Sequence, residues 1–300
     1  MKKTIIALVV IILIIVGGYF LMKQKTVDVP NPVATTTTTT TTVVVPPGED
    51  QGDKAQVVIG TSVQGRDILA YNYGKGSTKL LFVGGIHGGY EWNTVQVAYE
   101  LMDYLKANPS AIPANIQVSV IPVVNPDGLT KVVGTDGRFT SADVSPSQAV
   151  AVSGRFNANN VDLNRNFDCD WQATGTWQNK SVSGGTSVFS EPESKAVRDY
   201  VNALDPTAVV VWYSAAGGVY ASSCNGPVPP ETLAVTNAYA KASGYPAYES
   251  FDFYETTGDM VNWLAKNNIP AISVLLTNHT DTEWAKNKAG IEALFKAYTK

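Results

Sequence analysis

The sequence predicts a single α/β domain built on a mostly parallel sheet with helices on both faces. Two observations carry that expectation. Lys79 to Val83, Gln117 to Val124, Ala208 to Tyr213 and Ala271 to Leu276 are short apolar runs rich in β-branched residues, the composition of buried strands. Helical patterns separate them, which is the rhythm of crossover-connected strands. No internal repeat interrupts that reading.

The chain divides into three parts. Ile5 to Met22 is uncharged and almost wholly aliphatic; at helical rise it reaches roughly 27 Å, about the hydrocarbon thickness of a bilayer. Lys2 and Lys3 precede it and no Ala-x-Ala-like site follows, so residues 1–25 read as a retained signal anchor, or, if cut after Gly17 and Gly18, as a cleaved signal peptide. Residues 26–55, with Thr35 to Thr42 unbroken between proline-containing stretches, cannot build a core and read as an extended linker. Residues 56–300 are the folded domain, expected outside the cytoplasm. There Cys169 and Cys224 would pair. A net charge of −4 with only 16% charged residues shows no basic patch and excludes nucleic acid as a partner.

Within the domain, Trp92, Val95, Tyr99, Met102 and Leu105 recur at helical spacing and are read as core packing. Ser190-Glu191-Pro192-Glu193 reads as a capping box, with Ser190 at the cap and Glu193 reaching back. Leu264 to Asn268 closes another helix before Ile269-Pro270 turns into the last strand. The stretches Gly128 to Asn159 and Trp171 to Phe189 are expected to be long loops folding over the strand ends.

The chain has only two histidines, and one stands in Gly-Gly-Ile-His87-Gly-Gly-Tyr-Glu91, directly after Leu80-Leu81-Phe82-Val83. A buried strand that ends there and runs into a helix carrying a glutamate brings an imidazole and a carboxylate to one point above the sheet. A divalent metal suits that pair.

Taken in order, Gly60-Thr-Ser-Val-Gln-Gly65-Arg66, Gly-Gly-Ile-His87-Gly, Asn125-Pro-Asp-Gly128, Arg155-Phe-Asn-Ala-Asn-Asn-Val-Asp162-Leu-Asn164-Arg165-Asn-Phe, Phe189-Ser-Glu-Pro-Glu193 and Gly258-Asp-Met-Val-Asn-Trp263 resemble the zinc carboxypeptidase family, the carboxypeptidase A-like metallopeptidases. The resemblance covers nearly the whole domain and implies a twisted, mixed, mostly parallel sheet and a zinc site. It implies that His87 and Glu91 are metal ligands and that Asp162 orients His87. Asn164 and Arg165 stand where the family clamps a peptide's C-terminal carboxylate, a task suited to a guanidinium fork beside an amide. Arg155 stands at the position that stabilises the oxyanion, and Tyr254, nine residues before Trp263, at the tyrosine that closes over substrate. Val261 matches a position that shapes the side-chain pocket, where an aliphatic residue disfavours Lys or Arg in the ligand.

Three departures bear on activity. Glu91 follows His87 by four positions where the commonest family pattern has three. Tyr213 occupies the place of the third zinc ligand, a histidine, and a neutral phenol is a poor ligand because its reference pKa is about 10. Leu275 occupies the place of the general-base glutamate, and loss of acid–base help typically costs about 10²- to 10⁴-fold in rate. Three functions follow as expectations. One is a metallopeptidase-like protein that binds peptides or cell-wall peptides by their C-terminal carboxylate with hydrolysis lost or severely weakened. Another is an active metallocarboxypeptidase with an altered site, in which Tyr213 or His279 is the third ligand. The third is a structural surface domain that binds nothing.

Overall fold

Pairing the β-branched runs creates a sheet whose alternate side chains feed two separate cores. The computed structural model describes residues 55–300. The anchor expected over 1–25 and all but the last residue of the linker expected over 26–55 lie outside the described residues. Among the described residues, no helix is long and apolar enough to cross a membrane.

In chain order the strands are β1 (Gln56–Thr61), β2 (Asp67–Gly74), β3 (Thr78–Val83), β4 (Ile116–Ile121), β5 (Thr174–Trp177), β6 (Lys180–Ser183), β7 (Ala208–Ser214), β8 (Gly218–Ala221), β9 (Ala247–Tyr248) and β10 (Ala271–Leu276). The helices are α1 (Trp92–Ala107), α2 (Pro126–Val133), α3 (Gln148–Ser153), α4 (Pro192–Leu204), α5 (Pro230–Ser243), α6 (Met260–Lys266) and α7 (Trp284–Tyr298). Eight strands form one sheet in the order β1-β2-β4-β3-β7-β10-β8-β9. Its centre, β4-β3-β7-β10, is parallel, while β1, β2 and β8 join antiparallel. The expected α/β class and mixed sheet are therefore present.

The period of two along each strand separates the faces. Leu81, Val83, Val209, Val211, Tyr213, Ala271 and Leu275 pack with α4 and α6. Leu80, Phe82, Val210, Trp212, Ile272, Val274 and Leu276 pack with α1, α5 and α7. Trp92, Val95, Met102 and Leu105 are buried as expected of core residues, with Tyr99 half-buried against them.

Three sequence expectations need correction. The strand expected over Gln117 to Val124 ends at Ile121, because Pro122 has no N–H to continue the ladder. The chain then folds back, with Val124 and Asn125 donating to the Gly84 and Gly85 carbonyls. Ser190 does not cap α4: Glu191 holds the cap position and Ser190 Oγ bonds its Oε1 at 2.7 Å. Glu193 does not reach back, since the Val63 amide and Asn157 Nδ2 both donate to it at 3.1 Å. The two stretches expected to be loops are partly regular: the end of α2 and all of α3 lie within 128–159, and β5 and β6 form a hairpin within 171–189.

Candidate active site

The strand ends β3, β7 and β10 open on one side of the sheet, where α/β proteins place their sites. After Val83 the chain runs through Gly84, Gly85 and Ile86 to His87, then makes a one-turn 3-10 helix, Gly88–Glu91, before α1. Gly88 has φ +47°, and a Cβ there would lie 2.7 Å from the Gly154 carbonyl oxygen, so only glycine turns the chain at this point. That turn absorbs the four-residue spacing. His87 Nδ1 lies 3.0 Å from Glu91 Oε1.

His87 is enclosed by charge. Its Nε2 is 3.2 Å from Asp162 Oδ1, and Arg155 NH2 and Nε reach Asp162 Oδ2 at 2.8 and 3.0 Å. Arg155 NH1 stands 3.7 Å from Glu91 Oε1. All four side chains are at least nine-tenths buried. Burial pushes the imidazole pKa down and Arg155 adds to this, but Glu91 and Asp162 together raise it. Burial opposes ionisation of Asp162 too, yet Arg155 and then His87 hold its carboxyl well below the usual carboxylate range. Arg155 also lies 4.4 Å over the Trp177 ring of the β5–β6 hairpin.

The geometry allows a test of the metal expectation. Neither ring nitrogen of His87 makes an aligned hydrogen bond, and the buried Glu91 Oε2 has none. Unmet demand on these atoms fits an ion held by His87 Nδ1 and Glu91, with Asp162 behind Nε2. Such an ion would polarise a carbonyl and acidify bound water. Two protein donors nevertheless fall short of the three usual in a catalytic zinc site. Among the described residues, Cys169, Asp170 and Cys224 are the only His, Cys, Asp or Glu trio whose ligand atoms gather closely enough for one ion, and those two sulfurs are bonded to each other. His279 does not join His87 and Glu91.

Tyr213 ends the apolar run of β7 and its ring centroid lies 5.7 Å from that of His87. Its hydroxyl donates to Asn164 Oδ1 at 3.1 Å. Burial, followed by Asp259 and Glu91, raises the phenol well above its ordinary pKa, so it is a neutral donor. Leu275 is the parallel-register partner of Tyr213 and shares its face. Alkyl and phenol thus form neighbouring parts of the floor.

Asn164, Arg165, Arg155, Tyr254, Val261, Tyr213, Leu275 and His87 line one cavity of about 140 Å³. Of the residues expected in the active site, Glu91 and Asp162, which contact the two ring nitrogens of His87, and His279, which lines a neighbouring groove, are not part of its wall. Asn164 Nδ2 donates to Asp259 Oδ2 at 2.8 Å, and its Oδ1 also accepts from the Met260 amide. Arg165 donates at 2.7 Å from NH1 to the Asn164 carbonyl and from NH2 to the Thr176 carbonyl, while its buried Nε has no partner. Among the described residues, three of the five guanidinium N–H donors have no acceptor. Tyr254 sits on the loop before α6 with its ring 5.9 Å from the Arg165 guanidinium.

Sequence reading passed over several contributors. Trp177 and Thr176 sit in a stretch read as loop, where aromatic and small residues gave no strand signal. Asp259, two residues before Val261, was visible in the sequence, and it adds to the pocket wall a buried carboxyl whose pKa burial raises and whose Oδ2 accepts from Asn164 Nδ2. Asn93, Ser214 and the His279 they support lie on a helix, a strand and a loop, and no spacing joins them. Cys169 and Cys224 form the expected disulfide.

Comparison with known proteins agrees with this geometry. A zinc carboxypeptidase of Simulium vittatum is 31% identical over 156 residues, 49% of each chain. A gamma-D-glutamyl-L-diamino acid endopeptidase of Lysinibacillus sphaericus is 25% identical over 219 residues, 65% of this chain and 54% of that one. The chain thus spans about half the length of these curated relatives. The fold matches a murein-tripeptide amidase from Escherichia coli O157 with a TM-score of 0.58 and 20% identity, over 82% of this chain and 94% of that one. It matches bovine thrombin-activatable fibrinolysis inhibitor with a TM-score of 0.63 and 19% identity, over 81% and 87%. The zinc carboxypeptidase family itself matches residues 50–296, so the His87 turn, the Arg155-to-Arg165 segment and the sheet beneath them are parts of one inheritance, and the chain belongs to that family.

Proposed function

We propose that this domain recognises peptides through their free C-terminal carboxylate and that its peptide hydrolysis is lost or severely weakened. The observation that carries the reading is the contrast within one cavity. Arg155, Arg165 and Asn164 converge on it with donors to spare, whereas its floor offers Tyr213 and Leu275. A guanidinium and amide can hold a carboxylate, but neither an alkyl group nor a neutral phenol takes a proton from water at neutral pH. Zinc would bind weakly at His87 and Glu91 for want of a third donor. The names of the Lysinibacillus endopeptidase and the Escherichia amidase support cell-wall peptides as a ligand class. The Cys169–Cys224 bond supports a location outside the cytoplasm.

Calorimetric titration with one peptide in free and amidated forms tests the reading. The free form is expected to bind and the amide to bind at least tenfold more weakly. Arg165→Ala should cost about 2 to 5 kcal/mol of the binding free energy. Equal affinity for both forms means the cavity does not read the carboxylate, and absence of any binding favours a purely structural domain.

A further inference from the structure

The loop between β10 and α7 carries His279, and a chain of hydrogen bonds fixes which of its nitrogens bears the proton. Asn93, fully buried on α1, donates from Nδ2 to the Asn278 and Asp281 carbonyls at 2.7 and 3.0 Å. Carbonyls only accept, so this sets the amide's orientation and leaves Oδ1 in need of a donor. The Ser214 hydroxyl supplies it at 3.1 Å. With its proton committed, Ser214 Oγ must accept from His279 Nδ1, 3.0 Å away. Nε2 is then the unprotonated nitrogen, and it has no hydrogen-bond partner among the described residues.

His279 lines a groove together with Tyr90, Trp177, Ser214 and Tyr254, and Tyr254 also lines the cavity holding His87, Arg155 and Arg165. Tyr90 packs on the His279 ring at 4.8 Å between centroids and lies 5.7 Å from the Arg155 guanidinium. Among the site's carboxyl groups, Asp162 is held by Arg155 and Asp259 by Asn164 and the Asn262 amide, Glu91 sets Oε1 beside His87 and Arg155 and leaves Oε2 without a hydrogen bond among the described residues, and Glu249 also lines the cavity.

We propose that His279 is the general base for whatever hydrolysis this site performs, in place of the glutamate that Leu275 lacks. The proposal rests on the carboxylate-binding reading above for the pose of the peptide. Nε2 takes a proton from water as the water oxygen bonds to the scissile carbonyl carbon, and the carbonyl π pair moves onto its oxygen, toward Arg155. Collapse re-forms the C=O and breaks the C–N bond. The imidazolium proton passes to the departing amine, which balances the step. Ser214 and Asn93 act as positioning residues that keep the lone pair turned to the groove.

The test is release of the C-terminal residue from an N-blocked dipeptide with a free carboxylate, followed by mass spectrometry. Wild type should show slow turnover, and His279→Gln should lower kcat by about 100-fold or more with KM within threefold. Ser214→Ala should lower kcat less and move the acid limb of the pH profile. That limb should fall below the ordinary histidine value, because burial lowers the His279 pKa; Arg155 and His87 lower it further while Glu91 opposes them. Added imidazole should partly restore His279→Ala. Turnover in His279→Gln equal to wild type, or no release by wild type, overturns the proposal even when the peptide still binds by its carboxylate. Loss of that carboxylate dependence overturns the clamp reading and this one with it.

Discussion

Leu275 and Tyr213 are cross-strand register partners on the cavity floor, and their adjacency governs what a repair would require. A glutamate at 275 alone would place a carboxylate among Leu275's present apolar neighbours with no bound water to activate. A histidine at 213 alone would complete a metal site with no carboxylate base on the neighbouring strand. Groups that act as a unit show this non-additivity. Tyr213→His and Leu275→Glu singly should therefore change turnover by less than about tenfold, while the pair should raise it by at least about 100-fold. Turnover measured with zinc, alongside zinc content by mass spectrometry, checks both halves: the pair, not the glutamate alone, should retain the metal.

At the scale of elements, the loop bearing His279 is fastened by Glu283 as well as by Asn93. Glu283 accepts from the Thr277 amide at 2.6 Å, the Thr277 hydroxyl at 2.8 Å, the Tyr245 hydroxyl at 2.8 Å and Lys286 at 2.7 Å. Against a burial effect that raises it, Lys286 and the Thr277 and Tyr245 donors lower its pKa from 4.5 to about 2. A depressed carboxylate stabilises the fold above its unfolded pKa, and that contribution fades as pH falls from about 4.5 toward 2. Thermal melts should accordingly show Glu283→Gln below wild type at pH 7 and the two converging near pH 2. A gap that stays constant over this range would remove the ionised form from the explanation. Elements such as this loop were illegible in the sequence, because Glu283 and Tyr245 are far apart in the chain. The central strands were legible because burial on both faces leaves apolar runs, as in Ala271–Leu276, whose bounds the sequence reading matched. β1 and β2 mix exposed with buried positions, and β5 and β6 are built of Thr, Gly, Ser and Lys with one tryptophan and one valine as anchors. Neither pattern separates a strand from a loop. At the site, His87, Arg155, Asn164 and Arg165 were legible as motif, whereas Trp177 and Ser214 act through tertiary contacts alone.

For the whole molecule, the Cys169–Cys224 bond ties the segment after Arg165 to the end of β8 across 55 residues, and Asn225 bonds Asp170 beside it at 2.6 Å. Closing a loop of that length restricts the unfolded chain by about 4 kcal/mol in the entropy model. Replacing both cysteines with alanine should lower unfolding free energy by up to about that amount in denaturant titrations, and an unchanged midpoint would show that the bridge constrains little. The β5–β6 hairpin is attached differently. Its strand β5 holds Arg165 through the Thr176 carbonyl, and its Trp177 holds Arg155 through the ring face. A ligand that drew either guanidinium away from these contacts would unseat the hairpin, and such a ligand would link occupancy of the cleft to seating of the hairpin. By reciprocity, anything that gripped the outer surface of the hairpin would adjust affinity for that ligand inside, which would make a peripheral two-stranded flap the volume control of a pocket it only partly lines.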